Sequence, residues 1–284
     1  MNYKFGPKNN WRRTAWNRIV ERLEVPVSKA IVLYLAGEMD LDREVAIRKG
    51  FKPHNLIAID HDSEIVKKLR KEGKLAIDAK LKGVVDNWSG DGVDVLFADL
   101  CGGATFENVA IAATMTALGG FEKTVMAFNL MRGRDRWVAK DKCEAEETKK
   151  EYEELVMGRH RGKAIFEASK KFVKYHFRNG IEENAKSEEL KSEESLTGLE
   201  NIIEMVAEKE CMPISLSYMS TSGQVFDSQI WKNISVHKIW NFIANLMGKE
   251  KFLEFEKAVA TDPRNKIARK VVAIRAVRTM RMTA

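Results

Sequence analysis

Four short apolar segments in the first hundred residues each end in a residue able to bind or react. The first is followed by Ala36-Gly37-Glu38. A glycine there lets backbone approach a ligand closely, and the helix that follows can point its amino terminus at negative charge. The second segment ends in Asp60, 23 positions after Gly37. An acid about 20 residues beyond a glycine turn can hold a ribose diol through both carboxylate oxygens. The third ends in Asp78-Ala79 and the fourth in Asp99-Leu100-Cys101-Gly102-Gly103. Strand-end aspartates also cap helices, so the pattern has a structural reading beside the chemical one. Cys101 likewise has two readings. A thiolate there could add to C6 of a pyrimidine, with a helix amino terminus after Gly102-Gly103 lowering its pKa. A small buried thiol at a strand end is the other.

These residues need a scaffold that brings strand ends together. The continuous apolar run over residues 30–36 suits a strand buried on both faces of a parallel sheet. Further strands are expected at 56–59, 75–77, 93–98 and 124–129, with helices over 42–49, 63–72 and 106–118 between them. Ser63 is the expected cap of the second of these helices. Strands alternating with helices imply a doubly wound, mostly parallel α/β sheet. A helix over 199–208 and strands at 214–218 and 224–231, joined across Thr221-Ser222-Gly223, add an antiparallel hairpin at its end. The division expected is a basic amino-terminal helix (1–29), a Rossmann-like core (30–137), a helical insertion with a flexible acidic loop (138–198), the end of the core sheet (199–234) and a basic helical extension (235–284). The loop is placed at 180–198, a polar and acidic stretch nearly free of aromatics.

The order LYLAGEMD, LIAIDHD, LAIDAKL, DVLFADLCGG resembles the class I methyltransferases that use S-adenosylmethionine (SAM). The likeness covers about residues 30–135 and extends to the helix and hairpin of 199–232. It implies that Ala36, Gly37 and Glu38 lie under the methionine part of SAM. It also implies that Asp60, with His61 beside it, holds the ribose, and that Asp78 and Ala79 meet the adenine. Asp99 and its followers would stand where donor and acceptor meet. Two departures are visible. LAGEMDLD has one glycine where the family has an acid-x-Gly-x-Gly-x-Gly pattern, and ADLCGG is neither the Asn/Asp-Pro-Pro-Tyr element of base-amino methylation nor the Pro-Cys element of cytosine-C5 methylation. The one-glycine variant is similar to methyltransferase-like proteins of phages and mobile elements. The absence of GxGxxG argues against a dinucleotide cofactor.

Charge suggests the acceptor. The net charge is +7, yet residues 1–30 hold seven cations against two acids, and residues 264–281 hold seven cations and no acid. The body between is left mildly acidic. Basic ends on such a body are a footprint for a polyanion, and solvated helix faces are the plain alternative. After the fifth strand, Asn129, Arg132, Arg134, Arg136 and Trp137 combine an amide, arginine forks for phosphate and a ring for base stacking. In the last helix Arg269, Lys270, Arg275 and Arg278 point away from an apolar stripe. The expected function is SAM-dependent methylation of nucleic acid, with Asp99, Cys101 and Asn129 as catalytic residues and Asn129 and Arg132 on the far wall. A methyltransferase-like binding protein without turnover is the alternative. Three scattered cysteines, Cys101, Cys143 and Cys211, suit a reducing cytoplasm, prokaryotic or viral in a host. No CxxC, HExxH or Cys/His cluster suggests a metal, and no apolar run suggests a signal peptide or membrane span.

Overall fold

A computed structural model of the chain describes residues 6–89, 92–100, 102–103, 106–117, 120–132, 164–184, 188–235 and five positions between 238 and 245. Helix α1 (Gly6–Arg22) precedes β1 (Val32–Leu35), α2 (Leu41–Arg48), β2 (Leu56–Asp60), α3 (Ser63–Lys71), β3 (Leu75–Asp78), α4 (Leu81–Asp86) and β4 (Val95–Asp99). Helix α5 (Phe106–Ala117) and β5 (Val125–Met131) follow. The chain then continues through α6 (Ala164–Asn184), α7 (Glu188–Lys191), α8 (Glu193–Glu210), β6 (Ile214–Met219) and β7 (Val225–Lys232). The strands form one sheet in the order β3-β2-β1-β4-β5-β7-β6. The pairs β1–β2, β1–β4, β2–β3 and β4–β5 are parallel, while β7 runs antiparallel to β5 and β6 antiparallel to β7. This is the class I methyltransferase arrangement, a doubly wound sheet closed by an antiparallel hairpin.

Apolar residues on alternating positions send the two faces of the sheet into separate cores. Val32 and Tyr34 of β1 join Val95 and Phe97 of β4 under α1, α2 and α3. Leu33, Leu96, Met126 and Phe128 face α4, α5, α6 and α8. Trp16 of α1 stacks on Phe97 with ring centroids 4.8 Å apart, and Phe128 stacks on Trp231 at 5.5 Å on the other face. The chain runs outward from β1 to β3 and then returns to place β4 on the other side of β1. The switch in direction opens a crevice beyond the carboxyl ends of β1 and β4, where α/β sheets bind ligands.

The structure corrects several local expectations. Apart from Ser192, which joins two helices, the residues described within 180–198 are helical, not a loop. Ile181 and Leu196 are buried, and the Ser192 side chain accepts from Ser195 N as the cap of α8. Arg178 offsets part of the acidic run, pairing with Glu182 and Glu193 and with Glu200 just beyond it. The cap of α3 is Asp62, whose carboxylate accepts from Glu64 N at 2.9 Å. Helix α4 was not anticipated, because six residues containing a glycine carry little periodic signal. Residues 138–163 and most of the carboxy-terminal extension lie outside the described residues. No helix among the described residues is long and apolar enough to cross a membrane.

Candidate functional site

A cavity of about 430 Å³ opens at the carboxyl ends of β1, β2 and β4. That is within the size range of small-molecule pockets, roughly 300–1,000 Å³. Gly37 forms its near wall with φ +63°, and a Cβ there would meet nothing within 4 Å. The glycine is therefore required by backbone conformation and not by crowding in the protein. The next turn is stiffened by Asp40, a buried residue also at positive φ, 47°. Its carboxylate accepts from Tyr34 Oη at 2.8 Å and from Lys74 Nζ at 2.9 Å. Burial first, and then the charge of Asp40, hold the Tyr34 phenol protonated far above neutral pH.

Asp60 lies opposite Gly37. Its Oδ2 accepts from Gly37 N at 3.2 Å and its Oδ1 from Asp62 N at 3.0 Å. A carboxylate has about four lone-pair sites, so this grip orients the group and leaves about two sites for a ligand. His61 lies beside it with Nδ1 3.6 Å from Asp60 Oδ1 and most of its ring in solvent. Ile59, Ala79, Leu81 and Ile111 supply apolar wall.

Asp99 closes the far end. Adjacent strands place it opposite Asn129, whose Nδ2 donates to Asp99 Oδ1 at 2.6 Å. Asn129 Oδ1 accepts from Ser228 Oγ at 2.8 Å, and that hydroxyl accepts from Trp11 Nε1 at 2.6 Å. The chain of bonds fixes the orientation of the amide. Tyr218 Oη receives a longer bond from Asn129 Nδ2, at 3.4 Å. Its phenol is pushed up by burial and then by the charge of Asp99, with Lys8 and Asn129 opposing.

The expected site residues fall into three groups. Ala36, Gly37, Glu38, Asp60, His61, Ala79 and Asp99 come together around the cavity. Asp78, Asn129 and Arg132 are not among its lining residues. Asp78 sits at the end of the edge strand, where its Oδ2 accepts from Ser63 Oγ at 2.6 Å. Asn129 is buried, with its Nδ2 donating to Asp99 Oδ1 at 2.6 Å. Arg132 is half exposed and held bidentately by Asp227, at 2.7 and 3.0 Å. The third group, Cys101, Arg134, Arg136, Trp137, Arg269, Lys270, Arg275 and Arg278, lies outside the described residues.

Sequence reading missed Lys8, Arg12 and Asp42. Lys8 Nζ pairs with Asp99 Oδ2 at 2.7 Å, and Arg12 Nε with Asp42 Oδ1 at 2.7 Å, all nearly buried in the cavity wall. Two of the amino-terminal cations counted toward a polyanion footprint are thus satisfied internally. Burial raises the Asp42 carboxyl, with Arg12 opposing and Asp99 adding to the rise. The signal was the helical stripe itself. Lys8, Trp11, Arg12, Ala15 and Ile19 recur at three- and four-residue spacing, which puts both cations on the face that packs on the sheet.

No family model matches the chain, and no curated protein matches it. Solved structures do. A protein described as an O-methyltransferase from Klebsiella pneumoniae aligns over 82% of this chain and 83% of its own, at 12% identity and a TM-score of 0.40. The CurJ carbon methyltransferase aligns over 82% of this chain and 57% of its own, at 12% identity and 0.41. The plantazolicin methyltransferase BamL, in complex with a triazolic desmethylPZN analog and SAH, aligns over 79% of this chain and 84% of its own, at 13% identity and 0.38.

Proposed function

We propose that this chain binds SAM in the cavity beyond β1, β2 and β4 and transfers its methyl group. The observation that carries the reading is the facing pair of Gly37 and Asp60, a close-approach backbone wall opposite a carboxylate with lone pairs to spare. The residues present fit the cofactor. Asp60 suits a ribose diol, Gly37 allows close backbone contact, and the wall of Ile59, Ala79, Leu81 and Ile111 suits a flat base. When bound, SAM supplies a methyl group on a positively charged sulfur. The chain's own part is positioning, because in-line transfer depends on holding donor and acceptor in one geometry. Asp99, oriented by Asn129 through Ser228 and Trp11, offers a fixed carboxylate at the β4 end for the acceptor side.

The acceptor proposed is nucleic acid. Its support is the charge of the two termini and the arginines and tryptophan after β5. Among the described residues Lys8, Arg12 and Arg132 are already committed to carboxylates, so they add nothing to it. One observation favours binding without turnover: Lys8 occupies Asp99 at the β4 end, where an acceptor would approach. The test is to offer SAM carrying a tritiated methyl group together with duplex DNA, single-stranded DNA or RNA, beside a reaction without acceptor. Label on one of the polymers supports the proposal. Cofactor binding with no label on any of them favours the second reading.

A further inference from the structure

The two edges of the sheet differ in how they are guarded. At β3 the edge strand has four residues, and Arg70 Nε and Nη2 both donate to the Ala76 carbonyl, at 3.1 and 2.9 Å. Lys74 precedes that strand and Asp78 ends it. Short strands and charged side chains are the usual protection of an edge against pairing with another chain. At β6 none of this protection is present. The strand has six residues, its ladder to β7 runs without a bulge, and Pro213 stands before it and not within it. Among the described residues β6 pairs on one side only. No charged residue occurs from Cys211 to Phe226, in a chain that is 31% charged.

The open side of β6 is a row of backbone groups. Ser220 N donates to Gln224 O at 2.7 Å, and Arg132 N, just after β5, donates to Val225 O at 2.8 Å. Antiparallel ladders alternate, so Leu216 and Tyr218 bond to β7, while the N–H and C=O of Ser215, Ser217 and Met219 point away from it. Side chains alternate as well. Leu216 and Tyr218 turn to the core under α1, and Ser215, Ser217 and Met219 are exposed. The three outward residues are symmetric about Ser217, and an uncharged strand does not repel itself. A second copy of this chain therefore fits the edge. We propose that two copies pair antiparallel through β6, with each Ser217 opposite the partner's Ser217 on a two-fold axis. Ser215 exchanges backbone bonds with the partner's Met219, and Leu216 lies beside the partner's Tyr218. Two-fold pairing of one patch with itself is the commonest association of identical chains. A single strand pair is a small interface, under about 1,200 Å², so dissociation in roughly the micromolar range is expected. Met212 and Met219, 56% and 59% exposed at the two ends of the strand, add apolar contact.

The test uses the full chain in sedimentation equilibrium. At about 100 μM the native chain should have twice the mass of one chain, falling toward a single chain on dilution to about 0.1 μM. Ser217→Lys sets like charges opposite each other across the axis and should weaken association about fivefold or more at low salt. Ser217→Glu should do the same. Ser217 is exposed and its backbone groups point away from β7, so both variants should fold, which circular dichroism checks. Mixing the two variants sets unlike charges opposite and should return association to near the native level. Leu75→Lys, on the guarded edge, should leave association unchanged. A native chain that stays monomeric at about 100 μM overturns the proposal and leaves the edge to a different partner. A dimer that Ser217→Lys and Ser217→Glu leave intact overturns it as well, because its interface then lies elsewhere. So does a mixture of the two variants that associates no better than either alone.

Discussion

Replacing Asp60 with alanine should weaken binding of the cofactor and its demethylated product while the fold survives. The carboxylate is 11% exposed and held by Gly37 N at 3.2 Å and Asp62 N at 3.0 Å. With about four lone-pair sites in all, it has about two left for the ribose hydroxyls. Hydrogen bonds to a charged group contribute about 1.5–3 kcal/mol, and water entering the space in the variant keeps the total within that range. The expected loss is then roughly ten- to hundredfold in Kd. Asp60→Asn should lose nearly as much. Its amide keeps one acceptor and turns a donor toward the amide of Gly37 or Asp62, both donors themselves. The assay is calorimetric titration of S-adenosylhomocysteine into native chain and variants, with thermal melting to confirm folding. A Kd within about threefold of native, in a folded Asp60→Ala variant, would refute the assignment.

Leu196→Ala tests the helix found in the acidic segment. Leu196 is buried at 2% exposure, so the change should cost about 2–4 kcal/mol in urea unfolding, whereas a loop residue would cost under about 0.5 kcal/mol. Arg132→Ala should cost under about 1 kcal/mol by the same measurement, because the pair with Asp227 is exposed on the arginine side. Cys211 is buried, and burial is the main cause raising its thiol from 9.0 to about 11. The folded chain keeps that proton between those values and the unfolded chain loses it. Stability linked to the thiol is therefore full below pH 9.0 and declines toward pH 11, by at most about 1.4 kcal/mol per pH unit. The slope should be missing from Cys211→Ala, and iodoacetamide at pH 8 should leave Cys211 unlabelled by mass spectrometry until the chain unfolds. Labelling of the folded chain would contradict its burial.

What could be read from sequence depended on how local each signal was. The strands of the parallel sheet announce themselves as short apolar runs, and β1 is buried on both faces as its run requires. Gly37 and Asp60 could be placed because the fold puts strand ends together. Lys8 and Arg12 lie on the buried stripe of α1, but a cation on a helix looks solvated until its partner is known. Their partners Asp99 and Asp42 are distant in the chain. Segment 180–198 was misjudged for a related reason. Its acids look repulsive in isolation, but Arg178 neutralises part of them, and Lys170 and Lys174 hold Glu204 further along α8. Asp78 has a partner the strand pattern did not show, Ser63, whose Oγ donates to its carboxylate at the sheet edge.

A SAM site in the cavity beyond β1, β2 and β4 stands or falls on titration of the native chain with SAM and with S-adenosylhomocysteine. Saturable heat at one site per chain for both ligands, lost or strongly weakened in Asp60→Ala, is the result the structure predicts. No heat with either ligand, from a chain whose circular dichroism and melting show it folded, would contradict it.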